Sequence, residues 1–236
     1  MKIKSLQNSR VKHLARLHQK KYRDKHNEVL VEGEHLLEEL RKTDFDFLTI
    51  GLTEDYDWEI TREIAQKISQ TESGSVSFAL LKKPTMKEHS FSRLLLLDGV
   101  QDPGNVGTII RTAYSFGFDA VYASQDSADA WNDKAIRASQ GAVFHIPYNR
   151  TDLKDVIALL QENQVPVYAT HLDAQTIEMD QLPSTPIAVV MGSEGQGVSD
   201  EVLKCVNGYF KIPMTHFESL NVAVAAGIIC YYLRKG

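Results

Sequence analysis

The sequence holds only two cysteines in 236 residues, Cys205 and Cys230, and they form no CxxC pair. Both sit among apolar residues, which points to buried free thiols rather than a disulfide. The eight histidines are scattered with no HxxH or HExxH spacing, so no metal site is expected. No apolar run approaches the roughly 20 residues that a membrane-spanning helix needs. Residues 1–10 are polar and basic with no apolar stretch after them, so no signal peptide is expected and the cytoplasm is the expected location. Neither GxGxxG nor GK[ST] occurs, which removes the usual phosphate-cradling loops. Internal repeats and low-complexity tracts are absent as well.

What remains is an ordinary composition, 43% hydrophobic and 24% charged, long enough for one large domain or two small ones. The formal net charge of −5 is unevenly spread. Residues 1–25 hold nine Lys/Arg and one acid, a net +8 that leaves −13 on the other 211 residues. A basic arm on an acidic body suggests a local anion site, with a solvated helix face as the alternative. Lys12, Arg16, Lys20, Lys21 and Arg23 are the candidates to grip the phosphates of a nucleic acid.

Hydrophobic spacing divides the chain into alternating elements. Helices are expected at 9–21, 34–42 and 57–69, and strands at 28–33, 45–52 and 75–80. Periodicity is lost around Pro84, which places a linker at 85–92 between domains 1–84 and 93–236. The second part alternates more cleanly. Strands are expected at 94–98, 120–124, 143–148, 165–172, 187–192 and 209–214. Helices are expected at 106–116, near 133–139, at 152–163, at 199–205 and at 219–234. Repeated βα units imply a mainly parallel sheet with helices on both faces. Such sheets bind ligands in the loops beyond the carboxyl ends of their strands.

Three loops in that position carry chemistry. DGVQDPGNVGTIIRT at 98–112 offers Asn105 and, six residues on, Arg111 inside an otherwise apolar helix. MGSEGQGVSDE at 191–201 places Gly192, Gly195 and Gly197 around Glu194, an acid that would repel phosphate. KIPMTHFESLNVAVAAG at 211–227 ends a strand at Pro213 and opens a helix at Ser219, a natural N-cap. Asn221 has no evident structural task there.

Taken together and in this order, the three segments resemble the signature motifs of the SpoU, or TrmH, family of RNA 2′-O-ribose methyltransferases in the SPOUT superfamily. The matching residues are Asn105, Gly107, Arg111 and Thr112, then Gly192, Ser193, Glu194, Gly195 and Gly197. Ile212, Pro213, Met214, Ser219, Leu220, Asn221 and Val222 complete the match. More loosely, the basic helix and VLVEGEHLLEE at 29–39 are similar to the L30e-like RNA-binding domain that many members carry. The resemblance implies a C-terminal trefoil knot and a homodimer whose sites are completed by the partner subunit. It also implies S-adenosylmethionine as cofactor, held by Met191, Gly192, Ser193, Glu194, Gly195, Gly197, Ile212, Met214, Ser219 and Leu220. Arg111, Asn105, Ser219 and Asn221 are then the catalytic set. RNA is the partner, and rRNA is favoured over tRNA because the extra N-terminal domain is commoner among rRNA-directed relatives. Two departures stand out. The THFE stretch at 215–218 lacks the family's usual glycine and is one residue short, and Ala223 replaces a common serine.

Family likeness gives Arg111 the central role, sometimes that of general base. A guanidinium with a pKa above about 12 keeps its proton at neutral pH, so charge stabilisation of the 2′-oxygen is the more economical role. Three other readings stay open. One is a non-catalytic RNA-binding protein that retains the fold. Another is a base-directed SPOUT methyltransferase. The third, an enzyme of nucleotide metabolism, needs a phosphate loop that the sequence lacks.

Overall fold

The computed structural model describes residues 1–71, 73–85, 92–171, 177–183, 185–216 and 219–234. The N-terminal part runs β1 (Lys2–Ile3), α1 (Ser9–Arg16), α2 (Lys20–His26), β2 (Glu28–Glu32), α3 (Glu34–Leu40), β3 (Phe47–Gly51), β4 (Trp58–Ile60), α4 (Arg62–Ile68) and β5 (Ser77–Lys82). Its five strands form one mixed sheet in the order β1-β4-β3-β5-β2. Val11 and Leu14 of α1 and Ile64 and Ile68 of α4 pack with Ile50 and Phe78 of the sheet into a buried core.

Two expected helices are corrected here. The helix expected at 9–21 is two helices, because the chain tightens after Arg16 and Gln19 adopts extended backbone before α2. The break buries Leu17 and turns Arg23 inward. The helix expected at 57–69 yields its first turn to β4, which pairs in parallel with both β1 and β3. Thr61 then caps α4 by accepting from the Ile64 N–H at 3.3 Å. Residues 86–91 of the expected linker lie outside the described residues.

The second part runs β6 (Arg93–Asp98), α5 (Pro103–Ser115), β7 (Ala120–Ala123), α6 (Asp133–Ser139), β8 (Tyr148–Arg150), α7 (Leu153–Glu162), β9 (Val167–Thr170), β10 (Ile177–Glu178), β11 (Ile187–Gly192), α8 (Asp200–Leu203), β12 (Gly208–Lys211) and α9 (Val222–Tyr232). The strands form one sheet in the order β10-β12-β9-β11-β6-β7-β8, with every pair parallel. The strand expected at 143–148 is corrected: residues Ala142–Phe144 form a single 3-10 turn that buries Val143 and Phe144, and pairing with β7 begins only at Tyr148. Leu95 and Leu97 of β6 face α5, α6 and α9, whereas Leu94 and Leu96 face α7 and α8. A strand covered on both sides must be apolar on both, hence the unbroken LLLL run. Burying one such leucine stabilises the fold by roughly 1.5–3 kcal/mol. Cys230 is buried in this core, and burial pushes its thiol up to about 12. Cys205 departs from expectation in being only partly buried, with its thiol donating to the Glu201 carbonyl.

The two sheets share a hydrophobic core in which Val31, Leu37 and Leu40 join Val143 and Phe144. Polar contacts cross the same junction. Arg23 Nη2 donates to Asp129 Oδ2 at 2.9 Å, and His145 Nε2 lies 3.2 Å from Glu39 Oε2. Among the described residues, no helix is long and apolar enough to cross a membrane. Nor does any group of three or more His, Cys, Asp or Glu side chains among them form a candidate metal site.

Candidate active site

Strands β6 and β11 run side by side in parallel, with Asp98 opposite Gly192 at their carboxyl ends. Their following loops therefore open on the same edge of the sheet, and the loop after β12 joins them there. Asp98 ties two of these loops together, because its Oδ2 accepts from the Ser199 N–H at 2.7 Å.

The first loop leads into α5, which begins at Pro103, three residues before the expected start. Asp102 caps it by accepting from the Asn105 N–H at 2.9 Å. Its other carboxylate oxygen accepts from Lys134 at 2.6 Å, a contact that holds the Asp102 carboxyl below its ordinary value. Gly107 lies within α5. A Cβ there would sit 2.2 Å from the Ala135 carbonyl, so the glycine permits the close packing of α5 on α6.

The second loop folds back on itself. Ser193 and Gly197 exchange backbone hydrogen bonds at 3.1 and 2.9 Å. Gly192 makes that turn possible, since a Cβ on it would stand 1.9 Å from the Gly197 carbonyl carbon. The carboxylate of Glu194 is thereby carried over the first turn of α5.

The third loop corrects an expectation. Asn221, not Ser219, caps α9, its Oδ1 accepting from the N–H groups of Ala223 at 3.0 Å and Val224 at 3.3 Å. The same side chain turns its Nδ2 to Glu194 Oε1 at 2.5 Å and to Asn105 Oδ1 at 3.3 Å. Asn105 Nδ2 donates to Glu194 Oε1 at 2.9 Å. One carboxylate oxygen thus holds an amide from each of the other two loops. Phe217 and Glu218 of the THFE stretch lie outside the described residues.

Beside this cluster lies a cavity of about 350 Å³, within the range of small-ligand sites. Met191, Gly192, Ser193, Glu194, Gly195, Gly197, Ile212, Met214, Ser219 and Leu220, the ten residues expected to hold a cofactor, all line it. Its apolar wall of Met191, Ile212, Met214 and Leu220 suits an adenosine group, and the Glu194 carboxylate suits a positively charged sulfonium compound. Thr170, His171 and Lys211 also line it and were missed by sequence reasoning. Their place at the ends of β9 and β12, on the ligand-binding edge, was the available signal.

Arg111 stands apart. It is exposed on α5 and lines neither this cavity nor its neighbour across the glycine-rich loop. Helices α5 and α9 also present exposed apolar side chains, Tyr114 on α5 and Val224 (53% exposed), Ile228 and Tyr231 (57%) on α9. In the basic arm, Lys12, Arg16, Lys20 and Lys21 are exposed. Arg23 departs from the expected RNA-binding set. It is 3% exposed, donates to the Leu17 and His18 carbonyls and pairs with Asp129.

Comparison with known proteins adds independent findings. A model described as the SpoU rRNA Methylase family matches residues 92–231, and one for an MRM3-like substrate binding domain matches residues 8–90. The chain is 37% identical to the 23S rRNA (guanosine(2553)-2′-O)-methyltransferase RlmP of Bacillus subtilis, over 98% of each chain. The crystal structure of an AdoMet-bound rRNA methyltransferase from Sinorhizobium meliloti superposes with a TM-score of 0.87 at 26% identity. That match covers 99% of this chain and 97% of the other.

Proposed function

The chain belongs to the SpoU rRNA methylase family, and on that premise we propose that it transfers a methyl group from S-adenosylmethionine to a ribose 2′-hydroxyl of ribosomal RNA. The observation that carries the reading is the meeting of three loops at Glu194, on the rim of a cavity of cofactor size. S-adenosylmethionine supplies a methyl group already activated by its sulfonium charge. The protein's own task is to align the hydroxyl, accommodate its developing negative charge and exclude water.

Asn105 and Asn221 position the ribose from the Glu194 cluster, with Ser219 beside them. Arg111 stays charged and stabilises the developing alkoxide. Because Arg111 lies outside the cavity of its own chain, it acts on the site of a second copy. The exposed apolar residues of α5 and α9 form the contact between copies. Domain 1–84 grips RNA phosphates through Lys12, Arg16, Lys20 and Lys21, contacts that position the strand without reading its sequence. The expected trefoil knot belongs to the same reading, with β12 inserted between β9 and β10 and α9 returning to pack on α5.

The test is methylation of total RNA from cells lacking this protein, using the purified chain and labelled S-adenosylmethionine, followed by mapping of the label. A new 2′-O-methyl group at a defined rRNA position is expected. Label on a base, or none at all, overturns the reading.

A further inference from the structure

A second cavity, of about 390 Å³, lies across the glycine-rich loop from the first. The two share Ser193, Glu194, Gly195, Gln196, Gly197 and Val222 as a common wall. The rest of the second cavity is built from the β6 carboxyl end and its loop, from Asn105 and Ser199, and from Asp126 after β7.

Four carboxylates, those of Asp98, Asp102, Glu194 and Asp126, line it beside amide and hydroxyl side chains that both donate and accept. Asp98 is occupied by the Ser199 N–H and Asp102 by Lys134. Asp126 and Gln101 line the cavity exposed, and neither has a partner among the described residues. Asp126 lies against Gly99 at the carboxyl end of β6, where a Cβ would stand in ordinary contact, 3.6 Å from Asp126 Oδ2. A carboxylate at neutral pH repels a phosphodiester, so the nucleic-acid backbone is disfavoured here. A neutral base is not.

We propose that this second cavity receives the base of the nucleotide being methylated, and that Asp126 selects guanine. The inference rests on the ribose-methylating reading above and deepens it. Guanine presents two adjacent donors on its Watson–Crick edge, N1–H and the exocyclic amine, which match the two oxygens of one carboxylate. Adenine and cytosine place an acceptor beside their amine donor, and uracil flanks its single N–H with two carbonyl oxygens. Each would turn lone pairs toward Asp126, and a polar site of this kind rejects the mismatched partner strongly. Enzymes that act on single nucleotides commonly read the extruded base through this edge. Asn105 belongs to both the cavity wall and the Glu194 cluster. A base held here brings its ribose to the place where the three loops meet.

The experiment labels total RNA from cells lacking the protein with tritiated S-adenosylmethionine, digests it to nucleosides and identifies the labelled one. The label is expected in 2′-O-methylguanosine. Asp126→Asn, at an exposed loop position, should lower kcat/KM for RNA at least about tenfold, mainly through KM, with the Kd for S-adenosylmethionine unchanged. A transcript spanning the mapped site with inosine at the target, lacking the exocyclic amine, should lose a similar factor. Label in another 2′-O-methyl nucleoside, or wild-type kinetics for Asp126→Asn, overturns the proposal and leaves ribose methylation standing. Weakened S-adenosylmethionine binding in Asp126→Asn would assign the cavity to the methyl donor instead. Label in no 2′-O-methyl nucleoside would sink the activity itself.

Discussion

Asn221 donates to Glu194 Oε1 at 2.5 Å with one end of its amide and caps α9 with the other. The two tasks separate by substitution. Asn221→Ala removes both and should cost about 1 kcal/mol from the lost cap, a fall of roughly 2–4 °C in Tm. Asn221→Asp keeps a capping oxygen but sets a second carboxylate against Glu194. Its Tm should stay near that of wild type while methyl transfer falls at least about tenfold. Equal activity in the aspartate variant and the wild type would show that the amide contact to Glu194 is idle.

The basic arm divides into surface and core. Replacing Lys12, Arg16, Lys20 and Lys21 together with alanine should weaken RNA binding and flatten its dependence on salt by up to about four units of slope. S-adenosylmethionine affinity and Tm should hardly change. Arg23→Ala should behave oppositely. It strands Asp129, itself mostly buried, and should destabilise the fold by about 3–5 kcal/mol with little direct effect on phosphate contacts. Filter binding across a salt series and urea denaturation distinguish the two classes.

That division marks where the sequence stops being readable. The LLLL run of β6, the turns after the parallel strands and the three loops follow from local pattern, because each element is apolar or polar for reasons within its own few residues. The inward turn of Arg23 does not. It depends on a helix break at 17–19 and on Asp129, more than a hundred residues away. The capping role of Asn221 was hidden for a similar reason, since Ser219 fits a cap locally as well. Only the reach to Glu194 singles out Asn221. In the same way β4 overrides helical spacing at 57–60 through pairing with β1 at the far end of the chain segment.

His18 makes stability depend on pH. Burial pushes its imidazole below the ordinary value of 6.5, against the pull of the Asp133 carboxylate. The fold therefore favours the neutral ring, and the unfolded chain binds the proton more readily. The stabilising contribution is present above pH 6.5 and is lost as pH falls through the folded-state value. The His18 carbonyl also accepts from Arg23 at 2.8 Å, so the loss falls on the junction between the two sheets. The urea midpoint should decline between pH 7.5 and 5.5, and His18→Gln should reduce that decline. An unchanged slope in the variant would move the pH dependence elsewhere.

Arg111 and Asn221 provide the last test, because they are proposed to serve one site from two chains. Arg111→Ala and Asn221→Ala should each be nearly inactive alone. If the pair acts within one chain, a mixture of the two variants has one defect in every site and stays inactive. If Arg111 acts across a two-fold contact, a mixed dimer contains one site with both residues intact and one with neither. Random exchange of subunits makes half the dimers mixed, so activity should recover to roughly a quarter of wild type. The contact itself can be broken separately. Val224→Glu, at a 53% exposed position on α9, should leave the secondary structure unchanged by circular dichroism and yield a monomer by sedimentation. That monomer should bind S-adenosylmethionine yet methylate nothing. An active monomer, or a mixture with no recovery, would return Arg111 to its own chain.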